Sequence, residues 1–135
     1  MKEYSFNYDV HIFDTDCYGV VWHGAYTKWL EMGRVNYFKN LLNLDLKEMS
    51  DEHDIVCPVT EQTFRFKRPS RMGDVLRLTT RLELEPPKLI FLQEVLNIHT
   101  DKVALEARTE VVLINSQGKM YRRYPEFVEE KLNTL

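Results

Sequence analysis

The chain has 135 residues, 44% hydrophobic and 29% charged, which is room for one domain over residues 1–135 with a real core. Five glycines and five prolines exclude collagen-like and low-complexity chains, and plentiful apolar and aromatic residues exclude disorder. A net charge of −3 excludes bulk charge as a recruiter of nucleic acid or anionic lipid, and the longest apolar runs, Leu89-Ile90-Phe91-Leu92 and Val111-Val112-Leu113-Ile114, are too short to insert into a membrane.

The opening Met1-Lys2-Glu3-Tyr4-Ser5-Phe6-Asn7 carries no apolar targeting run. Two cysteines, Cys17 and Cys57, are too few for a secreted disulfide scaffold, so a soluble cytoplasmic protein is expected. Residues 4–13 alternate, with Tyr4, Phe6, Tyr8, Val10 and Ile12 against Ser5, Asn7, Asp9 and His11, which predicts a half-buried strand. The polar stretch Asp14-Thr15-Asp16-Cys17-Tyr18-Gly19 reads as a loop. From about residue 22 to 42 the period becomes helical, through Trp22, Ala25, Tyr26, Trp29, Leu30, Gly33, Tyr37 and Leu41. This broad aromatic stripe predicts a mostly buried helix of ~20 residues, ~30 Å long.

Residues 43–54 read as a loop or a short helical turn. Strands follow at 59–67, 75–85, 89–98 and 103–114, with turns between them, and a short closing helix over 125–132. Connections this short make sequential strands antiparallel neighbours. The predicted class is α+β, a long helix packed on a curved antiparallel sheet of about five strands. Strands 89–98 and 103–114 carry apolar residues on both faces, so their second face is available to another subunit.

The chemistry concentrates in residues 14–34. A calcium loop is tested first: with Asp14 at position 1, Asp16 falls at 3 and Gly19 at 6, but position 12 is Ala25, so the reading fails. No Ser, Thr, Asp or Asn occupies 20–23, so the helix start has no capping side chain. Uncapped N–H groups at a positive helix terminus can polarise a carbonyl. Asp16, just upstream, is a candidate nucleophile or general base, against the plainer reading of a turn-capping aspartate. His23 sits at the helix start, where a half-buried structural histidine is the plainer reading. Glu31 is read first as the i,i+3 ion-pair partner of Arg34, with a pocket role second, and Glu94 is weighed likewise. Cys17 has no evident base and is expected to be packed. Residues 61–75 hold four basic groups (Arg65, Lys67, Arg68, Arg71) and two acidic ones, a pattern for small phosphate ligands or an ordinary solvated edge.

The run Asp14-Thr15-Asp16-Cys17-Tyr18-Gly19-Val20-Val21-Trp22-His23-Gly24-Ala25-Tyr26, continuing through Glu31 and Arg34, resembles the signature of the 4-hydroxybenzoyl-CoA thioesterase family of hotdog-fold acyl-CoA thioesterases. Within it the likeness is to the branch with the Tol-Pal-associated enzymes, and it extends over nearly the whole chain. The resemblance implies Asp16 as the catalytic carboxylate and His23 as the residue whose backbone N–H polarises the thioester carbonyl. Gly19, Val20, Trp22, Tyr26 and Glu31 would line the substrate site. CoA phosphates would meet Lys67, Arg68 and Arg71, with Lys88 added. Dimers pairing sheet edges, with sites at the interface, and a further pairing to a homotetramer are implied. No metal and no cofactor are expected, coenzyme A being part of the substrate. Trp22, Gly24 and the Cys17-Tyr18 pair depart from the usual pattern near the acyl pocket, so the acyl group stays open between aromatic and short or medium-chain. A hotdog hydratase and a non-catalytic acyl-CoA sensor are the competing classes.

Overall fold

The computed structural model describes residues 2–135; Met1, the first residue of the expected domain, lies outside them. The elements in chain order are β1 (Glu3–Asp9), a 3-10 turn (Ile12–Asp14), α1 (His23–Leu41), α2 (Leu46–His53), β2 (Val59–Phe66), β3 (Val75–Glu85), β4 (Lys88–Asn97), β5 (Lys102–Val111) and α3 (Glu126–Leu132). The five strands form one antiparallel sheet in the order β1-β3-β4-β5-β2, so β1 and β2 are its edges. β3, β4 and β5 are sequential neighbours as expected, but β2 pairs with β5 and not with β3, the chain crossing from one side of the sheet to the other between them.

The sheet presents the even positions of β3 and the odd positions of β4 and β5 to α1. Leu76, Leu78, Leu82, Phe91, Val95 and Leu105 are fully buried there. From the helix, Ala25, Tyr26, Trp29, Leu30, Tyr37 and Phe38 meet them. Each such large apolar side chain contributes roughly 1.5–3 kcal/mol on burial. The core falls into two clusters, one around Tyr37, Phe38 and Phe91, the other around Tyr26, Trp29 and Leu30. Between them lies a polar layer. Gln93 Nε2 donates to the Leu30 carbonyl (2.8 Å) and to Thr80 Oγ1 (2.9 Å), and Arg34 Nη1 donates to Gln93 Oε1 (3.3 Å). Gly33 lets the helix approach this layer: a Cβ there would stand 2.6 Å from Thr80 Oγ1 and 2.8 Å from Gln93 Nε2.

Several sequence expectations change. The first strand stops at Asp9, because its sole partner β3 begins at Val75, the residue opposite Asp9. The chain then turns, and Ile12, expected on the core face, is 71% exposed. Residues 43–54 hold a complete two-turn helix, α2, whose N-cap Asp45 accepts from the N–H groups of Lys47 and Glu48. Helix α1 is buried on one side only, with Lys28, Glu31, Met32 and Val35 exposed. No ion pair joins Glu31 to Arg34: Glu31 is exposed, while Arg34 is buried against Gln93. Burial pulls the Arg34 guanidinium below its ordinary range, and the Glu31 carboxylate opposes that shift. Cys17 is exposed rather than packed, whereas burial pushes the Cys57 thiol up to about 12. Glu94 stands exposed on the outer face of the sheet, opposite Glu106. Among the described residues no helix is long and apolar enough to cross a membrane.

Candidate active site

The segment from Asp14 to Trp22 is a small hairpin that delivers the chain to α1. The Trp22 N–H donates to the Asp14 carbonyl (3.1 Å), Thr15 bridges Val21, and the Asp16 N–H donates to the Val20 carbonyl (2.9 Å). The loop closes through the Gly19 N–H onto the Asp16 carbonyl (3.0 Å). Gly19 has φ +78°, the left-handed conformation a three-residue hairpin loop requires at this place. The Asp16 side chain folds over its own turn. Its Oδ1 accepts from the N–H of Tyr18 (2.8 Å) and, longer, of Val20 (3.4 Å). Its Oδ2 has no partner among the described residues, and the residue is exposed.

Asp14 has a different part. Its carboxylate is buried and accepts from the Tyr8 hydroxyl (3.1 Å) and the His11 N–H (2.9 Å), so it fixes the base of the hairpin. Burial, and then the charge of Asp14, push the Tyr8 phenol above its ordinary value.

Trp22 is the N-cap of α1 and supplies no side-chain cap, as the sequence predicted. The Trp22 N–H is used by Asp14 and the Ala25 N–H by the Trp22 carbonyl (3.0 Å). The N–H groups of His23 and Gly24 are left without a partner among the described residues. These two donors, at the positive end of a 19-residue helix, face the same end of the molecule as Asp16. The His23 side chain is exposed and touches Trp22 edge to face, with centroids 6.0 Å apart.

The chain between β2 and β3 is tied to this hairpin. The Val21 N–H donates to the Ser70 carbonyl (2.8 Å), Val20 bridges Arg71, and the Tyr26 hydroxyl donates to Ser70 Oγ (3.1 Å). Burial raises the Tyr26 phenol above its ordinary value, opposed by the bond to Ser70. Next to Ser70 opens a groove of about 450 Å³ lined by Arg68, Arg71, Asp74, Asn97, Thr100 and Lys102. Asp74 Oδ2 holds its wall, accepting from the Arg71 N–H (2.8 Å) and Asn97 Nδ2 (3.0 Å).

The structure therefore brings together Asp16, Gly19, Val20, Trp22, His23 and Tyr26 at one end of α1, with Arg68 and Arg71 beside them. Three predicted residues stand apart. Lys67 turns to the strand side and pairs with Glu106 (3.3 Å). Glu31 is eight residues along α1 from His23, ~12 Å away, on the exposed side. Lys88 is displaced by the length of β3, eleven residues or ~35 Å, and pairs with Glu110 (3.3 Å). Lys102 is the basic residue that sequence reasoning missed. The β4–β5 turn returns to the same end of the sheet as the β2–β3 turn, and counting turns along the antiparallel order was the signal for it.

Residues 10–132 match the thioesterase-like superfamily. The chain is 27% identical over 113 residues to the 1,4-dihydroxy-2-naphthoyl-CoA hydrolase of Crocosphaera subtropica, covering 82% of each. Its fold superposes on the 1,4-dihydroxy-2-naphthoyl-CoA thioesterase of Synechocystis with a TM-score of 0.87 at 18% identity, over 99% of this chain and 98% of that one. A 4-hydroxybenzoyl-CoA thioesterase bound to 4-hydroxybenzoyl-CoA superposes with a TM-score of 0.86 at 19% identity, over 97% and 99%. At these identities the two structures speak for the hotdog fold. The match over residues 10–132 speaks for the family, and the chain accordingly belongs to the thioesterase-like superfamily and is a thioester hydrolase.

Proposed function

We propose that the protein hydrolyses an acyl-CoA to the free acid and coenzyme A, with Asp16 as the reacting carboxylate. One observation carries the reading: a carboxylate with one free oxygen sits on a hairpin bonded directly to a helix start with two free N–H donors. A thioester carbonyl accepting from His23 and Gly24 N–H groups would have its developing negative charge stabilised where it forms. Oδ2 of Asp16 then adds to the carbonyl carbon, the C–S bond breaks, and CoA leaves as the thiolate. Water hydrolyses the resulting mixed anhydride and regenerates the carboxylate. In the alternative, Asp16 takes a proton from the water that attacks the thioester directly. A hydratase needs a histidine and a carboxylate poised together for proton abstraction, and that reading is weakened because His23 and Glu31 are ~12 Å apart along α1. The test is thiol release from a panel of aromatic and aliphatic acyl-CoAs. Turnover of at least one is expected. Tight binding of acyl-CoA without turnover would make the protein a sensor instead.

The phosphates of CoA are assigned to the groove of Arg68, Arg71 and Lys102, which replaces the Lys67 and Lys88 part of the sequence expectation. Guanidinium groups bind phosphate in a bidentate manner, and such contacts belong to ground-state binding. Arg68→Ala combined with Arg71→Ala is expected to raise KM for acyl-CoA roughly tenfold or more while kcat changes less. A fall in kcat with KM unchanged would dismiss the groove as the phosphate site.

The site also fits completion by a second copy. β2 is a sheet edge with one side unpaired, and its ends Val59 and Phe66 are 46% and 56% exposed. Edge-to-edge pairing through β2 would cover them. Sedimentation is expected to give a species of at least twice the 16.1 kDa chain mass, and a monomer at assay concentration would remove the idea. A cytoplasmic setting suits two free cysteines, one of them exposed.

A further inference from the structure

We infer that Trp22 and Gly24 act as one device: Gly24 leaves a notch at the start of α1 in which the Trp22 indole lies, and the uncovered face of that ring is the platform for a flat, conjugated acyl group. This rests on the thioesterase reading and narrows it to a substrate class and the residues that select it.

The notch is tight. A Cβ on Gly24 would lie 1.7 Å from Cζ3, 2.2 Å from Cη2 and 2.5 Å from Cε3 of Trp22, so the six-membered ring fills the volume a side chain would use. Gly24 is not among the positive-φ residues, so its backbone does not demand glycine. Helix propensity alone favours alanine at such a position. The reason for glycine is therefore the ring. Held this way, Trp22 is still 42% exposed. A large aromatic surface held in place at the start of α1 is available for a flat ligand to stack on.

Its position selects the occupant. The ring lies on the residue whose N–H, with that of His23, is free to receive the thioester carbonyl. A thioester has two arms at that carbon. With the CoA arm directed to the groove beside Ser70, the acyl arm is the one that meets the indole. A planar acyl group conjugated to the carbonyl stacks across the ring, whereas acetyl makes almost no contact with it.

The test compares benzoyl-CoA with acetyl-CoA in wild type, Trp22→Phe, Trp22→Ala, Gly24→Ala and the double variant Trp22→Ala/Gly24→Ala. The ratio of kcat/KM, benzoyl over acetyl, is expected to fall roughly tenfold or more in Trp22→Ala and to be largely retained in Trp22→Phe. Gly24→Ala should lower the ratio similarly, because the ring is expelled. Once the ring is gone the added methyl has room, so Gly24→Ala on the Trp22→Ala background should change the ratio less than about twofold. Acrylamide quenching gives a readout independent of activity. Trp29 is 2% exposed, so quenching reports Trp22 and should increase in Gly24→Ala. Equal losses for both acyl groups in Trp22→Ala, or a ratio shifted toward benzoyl-CoA, would overturn the platform. Unchanged quenching in Gly24→Ala would overturn the notch. A wild type that hydrolyses no acyl-CoA overturns the thioesterase reading itself, while the quenching result still decides whether the ring sits on Gly24.

Discussion

Asp16→Asn is expected to leave the fold intact and lower kcat by about 10²–10⁴-fold, the usual contribution of a positioned acid–base group. The substitution is chosen for what it keeps. Asp16 uses Oδ1 to accept from Tyr18 and Val20, and the amide oxygen of asparagine can accept the same two bonds. The Gly19 to Asp16 backbone bond and the Val20 pairing are main-chain features and remain. What disappears is the free, negatively charged Oδ2, replaced by an amide nitrogen that neither attacks a carbonyl nor takes a proton from water. Asp16→Ala would be less informative, since it also removes the acceptor that closes the turn. Turnover and thermal denaturation on the same preparation check the prediction. Unchanged turnover with an unchanged melting temperature would move the catalytic role to another residue.

The parts of this arrangement that could be read from the sequence are those set by local chemistry. The hairpin loop followed from its polar residues and glycine, and the uncapped helix start from the absence of any capping side chain at 20–23. The alternation of Leu76, Leu78 and Leu82 with Arg77, Arg81 and Glu83 marked β3 and its buried face. The sequence also carries a signal for helix α2 that composition alone does not show: Asp45 followed three residues on by Glu48 is a capping pattern, and Asp45 caps the helix. What was not legible depended on the partner of a residue rather than the residue. The alternation of residues 4–13 continues past Asp9, but β3 does not reach that far, so the strand ends for want of a neighbour. Arg34 has an acidic neighbour at i−3, yet its side chain reaches across to Gln93, 59 residues away. Lys88 is near the basic cluster in turn count and remote from it in space, because β3 alone separates them by ~35 Å.

The largest effect on stability is expected from Gly33→Ala, about 2–4 kcal/mol of destabilisation, or roughly 8–15 °C in melting temperature for a chain of this size. Two contributions oppose each other. Alanine is the better helix former by about 1 kcal/mol, so an exposed site in α1 would gain from the change. Gly33, however, is buried where α1 crosses the sheet, and the new Cβ would stand 2.6 Å from Thr80 Oγ1 and 2.8 Å from Gln93 Nε2. Thr80 is fully buried and Gln93 nearly so, and neither is the free end of a solvent-exposed side chain. Relief requires either moving the helix off the sheet or turning Gln93 away. The first loosens both apolar clusters that flank the polar layer. The second breaks the bonds from Gln93 to Leu30 and Thr80 and leaves Arg34 without its acceptor, at about 1–3 kcal/mol for each buried group left unpaired. Either route costs more than the propensity gain. A melting temperature raised by a few degrees would mean that helix propensity decides this position and that the close approach of α1 to Gln93 does not constrain it.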